Sequence, residues 1–167
     1  QLGRIGKSGE TYAFSRYGKL LSESRFNEDL RQAGLIGEDE KSILSISVRN
    51  PGGDMTKGFS PSIPRYQQPL TLMAREATRG KSGLNVAGYR DYRGVPVYGA
   101  WLWDDNLDIG LTTEIDEADA LSPYYTTRTV ILTVLGITVI LALGSLLFAV
   151  VIEERAGRAL QKSHEEL

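Results

Sequence analysis

The sequence contains no cysteine and a single histidine, His164. The absence of cysteine excludes disulfide bonds, thiolate metal sites and cysteine nucleophiles. With no histidine before residue 164, acid–base catalysis lacks its commonest side chain in most of the chain. The net charge is −2, so no basic field is present to attract a nucleic acid. We therefore expect no enzymatic activity in this chain, no cofactor or metal, and no nucleic-acid partner.

The one long uncharged run extends from Val130 to Ile152 and contains no proline. At about 1.5 Å per residue it reaches roughly 35 Å, slightly more than the ~30 Å hydrocarbon core of a bilayer. A buried core helix of this length, apolar all round, would need a much larger protein around it. The hydroxyls of Thr133, Thr138 and Ser145 can bond to the preceding helical turn. The run therefore predicts a transmembrane helix over 130–152.

Charges on either side of this span predict its orientation. Arg155, Arg158 and Lys162 follow it, whereas Arg128 precedes it. Because basic residues favour the cytoplasmic side, we expect residues 1–121 to lie outside the cytoplasm and residues 153–167 to begin a cytoplasmic signalling helix. Spacing of small and apolar residues along that helix is compatible with a homodimer seam or with a solvated helix. The chain starts at Gln1 without methionine, and both ends indicate a piece of a longer protein.

Alternating apolar residues and turn signals predict a mostly antiparallel sheet with helices to one side, an α+β fold. One strand face is shared by Val95, Val97, Trp101 and Trp103. We expect these residues to join Ile109, Leu111 and Ile115 of the next strand in a common core. The predicted elements are a hairpin over 8–26 with Gly18 in its turn, a short helix from Asn27 to near Gly34, a strand over 42–48, a helix beginning at Pro69, and strands over 85–92, 95–103 and 109–115.

Two segments carry a resemblance to a known family. They are "GKSGETYAFSRYGKLLSESRF" and "AGYRDYRGVPVYGAWLWDDNLDIGLTTEIDEADA", the second of which ends shortly before the membrane run. In order and placement they resemble a Cache domain, the PAS-like extracytoplasmic sensor of bacterial membrane receptors. The chain is most similar to the membrane-proximal half of a double Cache domain. The resemblance implies a sensor subdomain over 1–121, a juxtamembrane junction over 122–129, and location in the bacterial inner membrane.

The same resemblance implies a small-molecule pocket against the inner face of the sheet. Aromatic walls with one arginine and one aspartate suit an amino acid, a small carboxylate or an amine. The candidate ligand-binding residues are Tyr89, Arg90, Asp91, Tyr98, Trp101 and Trp103, with Tyr92 and Arg93 of the same turn as further candidates. Aromatic residues at strand spacing are also typical of a core, and in double Cache proteins the membrane-distal half more often binds the ligand, so recognition outside this half stays an alternative. For signal relay into the span, the candidates are Glu114, Asp116 and Tyr125.

Several alternatives stay open from the sequence. The full protein is expected to be a sensor histidine kinase, but a diguanylate or adenylate cyclase or a chemotaxis receptor has the same organisation up to Leu167. His164 in "KSHEEL" is favoured as an exposed linker position over a phosphoacceptor. Asp104, Asp105 and Asp108 are favoured as a solvated turn over a Ca²⁺ site. A membrane-anchored docking or assembly module is a different class of function, and it predicts a broad exposed apolar face.

Overall fold

The computed structural model describes residues 6–165, and it describes side-chain exposure as far as residue 158. The side chain of His164 lies outside that range. The described residues form two compact units, which divide between residues 121 and 122. The elements are strand β1 (Glu10–Ser15), helix α1 (Asn27–Gln32), 3-10 turns at Met55–Lys57 and Arg65–Gln67, helix α2 (Leu72–Ala77), strands β2 (Gly83–Arg90), β3 (Pro96–Asp104) and β4 (Ile109–Asp116), and helix α3 (Glu117–Glu165).

The first unit is built on a four-stranded antiparallel sheet in the order β1-β4-β3-β2. The three strands predicted over 85–115 are confirmed, together with the turn between β2 and β3. Gly94 in this turn has φ +83, a left-handed conformation that favours glycine. Edge strand β2 carries a register shift between Asn85 and Tyr89, and the Asn85 Oδ1 accepts the backbone N–H groups of Ala87 and Gly88. The α+β class with an antiparallel sheet is therefore observed.

One face of the sheet packs against the short helix α2 to form the core. On this face, aromatic rings lie over glycines of the neighbouring strand: Phe14 lies on Gly110, and Trp101 lies on Gly83. Glycine is needed at both positions, because a Cβ atom would collide with the ring. Burial of each large apolar side chain contributes roughly 1.5–3 kcal/mol. The main core residues are Tyr12, Phe14, Leu20, Leu30, Val48, Met73, Ala74, Ala77, Tyr92, Val97, Trp101 and Trp103.

The predicted core face of β4 was wrong. Thr112 lies directly opposite Trp101, and opposed residues of an antiparallel pair share a face. Thr112 and Glu114 are therefore the buried side chains of β4, whereas Leu111 and Ile115 lie half-buried on the other face. The physical reason is that buried tyrosine hydroxyls satisfy the carboxylate of Glu114, as described below.

The strand predicted over 42–48 was also wrong. Residues 43–45 form a turn in which Leu44 has φ 61, and only single bridges pair Ser47 with Lys19 and Arg49 with Leu70. The Ser42 hydroxyl accepts the backbone N–H of Ser24 at 2.7 Å. Residue 42 therefore makes a side-chain hydrogen bond instead of pairing in a sheet. Similarly, the return strand of the predicted hairpin is reduced to one bridge between Phe14 and Leu20.

Both short helices are present, although the second begins later than predicted. Helix α1 coincides with the predicted segment and is followed by Gly34 at φ +68. Helix α2 begins at Leu72 rather than at Pro69, because Thr71 is its N-cap and its hydroxyl accepts the N–H of Ala74 at 3.4 Å.

Helix α3 begins in the first unit and forms the second, and it includes the uncharged run over 130–152, whose side chains are all exposed. Thr138 and Ser145 donate their hydroxyls to the carbonyls of Val134 and Ala142, so these polar groups are satisfied within the helix. Among the described residues, this is one helix long and apolar enough to cross a membrane.

Candidate functional site

The structure brings only some of the predicted ligand residues together. Tyr89, Trp101 and Trp103 lie on the core face of the sheet, and the rings of Tyr89 and Trp101 meet edge to face at 6.1 Å. Tyr98 lies on the opposite face, opposed to Ile115 in the ladder. Arg90, at the end of β2, is exposed. A single pocket that contains all the predicted residues is therefore not formed.

A buried carboxylate lies at the centre of the core face. Glu114 is 4% exposed and accepts hydrogen bonds from the hydroxyls of Tyr12 at 2.8 Å and Tyr89 at 2.6 Å. Burial raises the pKa of Glu114 to about 8, and the negative charge of Asp91 adds to the rise. Near neutral pH, this side chain can therefore hold or release a proton inside the sheet unit.

Gly99 gives the Tyr89 hydroxyl its access to Glu114. A Cβ atom at residue 99 would lie 2.2 Å from the Tyr89 hydroxyl oxygen and 2.9 Å from the Cγ of Glu114. Gly99 also opposes Glu114 in the ladder between β3 and β4. Only glycine is compatible with this arrangement, so the bond between Tyr89 and Glu114 depends on a particular residue of a third strand.

We expect Gly99→Ala to reduce the free energy of unfolding by about 1–3 kcal/mol, because the displaced hydroxyl leaves a buried acceptor unsatisfied. Urea unfolding followed by tryptophan fluorescence measures the change. Gly37→Ala is the matched control, since its Cβ would make only ordinary contacts at 3.8 Å with Glu40. Equal stability of the two variants would contradict the role of Gly99.

A second buried carboxylate, Glu10, lies directly opposite Glu114 in the ladder between β1 and β4. Tyr92 donates its hydroxyl to the Oε2 of Glu10 at 2.7 Å, and the Oε1 accepts the backbone N–H of Arg25 at 2.7 Å. The Tyr92 hydroxyl also lies 2.7 Å from the Ser24 Oγ. Hydrogen bonds thus hold both carboxylates on one face of the sheet and connect the turn between β2 and β3 to β1.

Arg93 in that turn lies between three carboxylates. Its Nε donates to the Oδ2 of Asp91 at 2.7 Å, its Nη2 donates to the Oδ1 of Asp116 at 2.6 Å, and its Nη1 lies 3.6 Å from the Oδ2 of Asp29. The guanidinium also stacks 3.5 Å from the ring centroid of Phe26. The Arg93 and Asp91 side chains are both almost completely buried.

Burial shifts the pKa values of Asp91 and Asp116, the two aspartates that accept hydrogen bonds from Arg93. Burial raises the pKa of Asp91 to about 6, although the charge of Arg93 opposes the rise. The Oδ1 of Asp91 accepts the backbone N–H groups of Arg93 and Val95, which fixes the turn. Burial also raises the pKa of Asp116. Arg93 therefore joins the β2–β3 turn to the last residue of β4.

Asp119, in the first turn of α3, connects the start of that helix to the segment before β1. Its Oδ2 accepts the backbone N–H groups of Lys7 and Ser8 and the Ser8 hydroxyl, each at 2.9 Å. These bonds from Ser8 and Lys7 lower the pKa of Asp119. The Ser8 Oγ in turn accepts the N–H of Asp116 at 3.1 Å. The transition from β4 to α3 is therefore fixed by side-chain hydrogen bonds.

The sequence interpretation missed Glu10 and Tyr12 as members of this polar cluster. Strand alternation could have identified them. Glu10, Tyr12 and Phe14 occupy every second position of β1, so Glu10 and Tyr12 share a face with the core residue Phe14. Tyr125, predicted as a relay residue, lies within α3 and its ring meets Tyr124 at 5.4 Å. Within the described residues, no group of three or more histidine, aspartate or glutamate side chains is placed to hold a metal ion.

The chain matches no family model, no curated protein and no solved structure. The resemblance to Cache domains therefore depends on the two sequence segments given above.

Proposed function

We propose that the chain is the small-molecule-sensing and membrane-spanning part of a bacterial transmembrane receptor, with a Cache-like, PAS-like unit outside the cytoplasm. One observation carries this proposal. Strand β4 ends at Asp116, and α3 begins at the next residue, Glu117, with no intervening loop. The apolar run of 130–152 belongs to the same helix, which has Pro123 in its interior, so helical backbone rather than a flexible loop connects β4 to the membrane segment. In this proposal a change in the position of β4 is passed on through that helix.

The proposed ligand is an amino acid, a small carboxylate or a small amine that acts at the core face of the sheet. Tyr89 and Trp101 supply aromatic surface there, and Glu114 supplies a buried carboxyl group whose hydrogen bonds within the described residues come from the hydroxyls of Tyr12 and Tyr89. A ligand amine or carboxyl group competes for such bonds more strongly than a neutral group, because charge-assisted hydrogen bonds are stronger. Binding that alters the bonds of Glu114 acts directly on β4.

In this proposal the signal passes from Glu114 through Asp116 to α3 and along the juxtamembrane residues that include Tyr125. The lipid bilayer surrounds residues 130–152, and the following helical residues enter the cytoplasm in a homodimeric receptor. A sensor histidine kinase is the effector that the resemblance favours.

A ligand screen on the whole chain in lipid nanodiscs tests the sensing function. The chain has two tryptophans, Trp101 and Trp103, and both are buried in the sheet unit, so their fluorescence reports its unfolding. Each compound of a panel of amino acids, small carboxylates and amines is tested for a rise in melting temperature. A ligand at a hundredfold excess over its Kd adds ~2.7 kcal/mol of stability. We expect at least one compound to raise the melting temperature.

Substitutions of core-face residues test whether a compound that raises the melting temperature binds at that face. We expect Tyr89→Phe and Trp101→Leu to remove the rise in melting temperature, whereas Tyr17→Phe, at a residue that is 82% exposed, retains it. Cooperative unfolding with no compound-dependent rise anywhere in the panel would count against sensing by this unit.

One observation favours a docking module as the second candidate. The sheet face opposite the core exposes Leu84, Val86 and Leu102, with exposed fractions of 70%, 71% and 44%. A docking function predicts that Leu84→Glu abolishes a defined assembly in sedimentation velocity and leaves the melting temperature unchanged. If the chain sediments identically with and without this substitution, the docking function is contradicted.

A further inference from the structure

The two tyrosines that bond to Glu114 differ in what else they can bond to. Both hydroxyls donate to its carboxyl group, Tyr12 to the Oε2 and Tyr89 to the Oε1. That arrangement suits an ionised carboxylate, because both of its oxygens accept. A protonated carboxyl group carries an O–H that must itself donate. One of the two tyrosines then has to accept that bond and direct its own proton elsewhere.

Tyr89 has a second acceptor within reach, whereas Tyr12 does not. Burial and the charge of Glu114 raise the pKa of Tyr89, and a hydrogen bond with the Thr112 side chain opposes the rise, so the two hydroxyls are neighbours. The Thr112 hydroxyl donates to the Ala100 carbonyl at 3.0 Å, which leaves its oxygen able to accept. Among the described residues, Glu114 is the one hydrogen-bond partner of the Tyr12 hydroxyl. The Tyr89 hydroxyl is therefore the one that can turn.

The surroundings of Glu114 favour a bound proton by their geometry. No arginine or lysine nitrogen in the part of the chain that the structure describes lies within 4 Å of its carboxyl oxygens. A second buried carboxylate, Glu10, lies directly opposite in the ladder, and like charges this close oppose ionisation. The other titratable groups that face it are the two tyrosines and, from the β2–β3 turn, Asp91.

The cations nearest this face have other partners. Arg93 donates to the two aspartates described above, and the Arg25 guanidinium donates to a backbone carbonyl. Helix α2, which packs on the face, buries apolar side chains there, and its two charged residues, Arg75 and Glu76, pair with each other. A proton is therefore the charge that can neutralise this carboxyl group without a rearrangement of the ion pairs.

The position of Tyr89 gives the turning hydroxyl a structural consequence. Its ring meets Trp101 edge to face at 6.1 Å, and it lies on the edge strand β2 just after the register shift. Residues 86–88 have no register partner on β3, so the backbone before Tyr89 is less restrained than a regular ladder. Because a hydrogen bond to an ionised carboxylate is shorter and stronger than a neutral one, ionised Glu114 draws this side chain toward β4.

We propose that Glu114, Tyr89 and Thr112 form a proton-operated switch. With the proton bound, the carboxyl group donates to the Tyr89 hydroxyl, which donates to Thr112; with the proton released, the Tyr89 hydroxyl donates to Glu114 and draws β2 toward β4. The pH around the sheet unit is thereby an input of its own, separate from any small molecule. The inference rests on the proposed function only in its last step, in which α3 carries the change across the membrane.

The test measures tryptophan emission of the folded whole chain in nanodiscs between about pH 5 and pH 9. We expect the emission to change with a midpoint near pH 8, because Trp101 contacts Tyr89. Glu114→Gln cannot titrate and keeps the bonds of the neutral form, so it should lack this transition. Asp91 is present in both chains, so the difference between them belongs to Glu114. Identical pH profiles of the two chains would overturn the proposal.

Substitutions of two neighbouring threonines test the second acceptor. Thr112→Val removes the hydroxyl that receives the Tyr89 proton, so the midpoint should fall by about 0.5–1 pH unit as the protonated form loses a hydrogen bond. Thr112→Ser keeps a hydroxyl and should restore the midpoint. Thr113→Val is the matched control, since that hydroxyl lies on the opposite face of β4 and bonds to Thr11. Equal midpoints in Thr112→Val and Thr113→Val would overturn the role of Thr112.

A pH-insensitive, environment-sensitive fluorophore at Thr127→Cys separates the switch from transmission through α3. Emission at residue 127 that titrates with the tryptophan emission supports both. If the tryptophan emission titrates and the emission at residue 127 stays constant, the switch is upheld and transmission through α3 is contradicted. If neither titrates, the switch is overturned, and a compound that raises the melting temperature would still support the sensing function.

Discussion

Replacing Arg93 with alanine is expected to reduce the free energy of unfolding by about 3–5 kcal/mol. The substitution removes the ion-pair partner of Asp91 and Asp116 and leaves the buried carboxylate of Asp91 without the cation that is hydrogen-bonded to it. It also removes the cation that stacks on Phe26. Breaking a buried pair from one side is costly because the remaining charge stays desolvated, whatever the net contribution of the intact pair.

Denaturant unfolding of Arg93→Ala beside Arg90→Ala separates this effect from a general loss of positive charge. Arg90 lies three residues before Arg93 but is exposed, so its substitution is expected to change stability by no more than about 0.5 kcal/mol. Arg93→Lys is expected to fall between the two, because one ammonium cannot bond to Asp91 and Asp116 with the planar geometry of a guanidinium. A loss below 1 kcal/mol in Arg93→Ala would show that the network is not a main source of stability.

A double-mutant cycle provides a sharper test of the same pair. Asp91→Asn in the Arg93→Ala background removes the unpaired negative charge while keeping an amide oxygen to accept the backbone N–H groups of Arg93 and Val95. We therefore expect the second substitution to recover about 1–3 kcal/mol of the loss. Additive losses in the double variant would contradict direct coupling.

The second large effect concerns the pH dependence of stability. Burial raises the pKa of Glu114 from an ordinary value of 4.5 to about 8. Between these values the folded state retains a proton that the unfolded state releases, so the contribution of this group to stability falls as the pH rises from about 5 to 8. The slope is roughly 1 kcal/mol per pH unit, and it vanishes below and above that window.

We expect Glu114→Gln to remove this slope, because the amide does not titrate and can still bond to the hydroxyls of Tyr12 and Tyr89. The variant should thus gain stability relative to the wild-type chain as the pH rises from 5 to 8, as measured by urea unfolding at several pH values. Glu38→Gln, at an exposed residue, controls for the loss of a carboxylate. A difference between Glu114→Gln and the wild-type chain that stays constant with pH would contradict a raised pKa.

The sequence alone predicts strands β2, β3 and β4 and the long helix α3, because each of them has a strong local signal. Apolar and polar residues alternate along strands β2 to β4, and turns rich in glycine and aspartate separate these strands. The apolar run of 130–152 is identified by its composition alone. The bridged segment around Ser47 alternates as well, but the Ser42 hydroxyl and the left-handed conformation of Leu44 make a turn there. Such side-chain bonds to a distant backbone have no local sequence signature.

The candidate site was only partly predictable for the same reason. Counting apolar residues favours Leu111 and Ile115 as the core face of β4, yet Glu114 is the buried side chain. Its burial depends on Tyr12 and Tyr89, which lie on the two edge strands of the sheet, β1 and β2. By contrast, the separation of Tyr98 from Trp101 and Trp103 follows directly from strand alternation.

A fluorophore on α3, observed while compounds bind the sheet unit, reports whether the signal reaches the membrane helix. Because the chain has no cysteine, Thr127→Cys provides a single attachment point on α3 for an environment-sensitive fluorophore in nanodiscs. We expect at least one amino acid, small carboxylate or amine to shift the emission saturably, and Trp101→Leu to abolish the shift. Compounds that raise the melting temperature of the sheet unit and leave the emission at residue 127 unchanged would contradict transmission of the signal into the membrane helix.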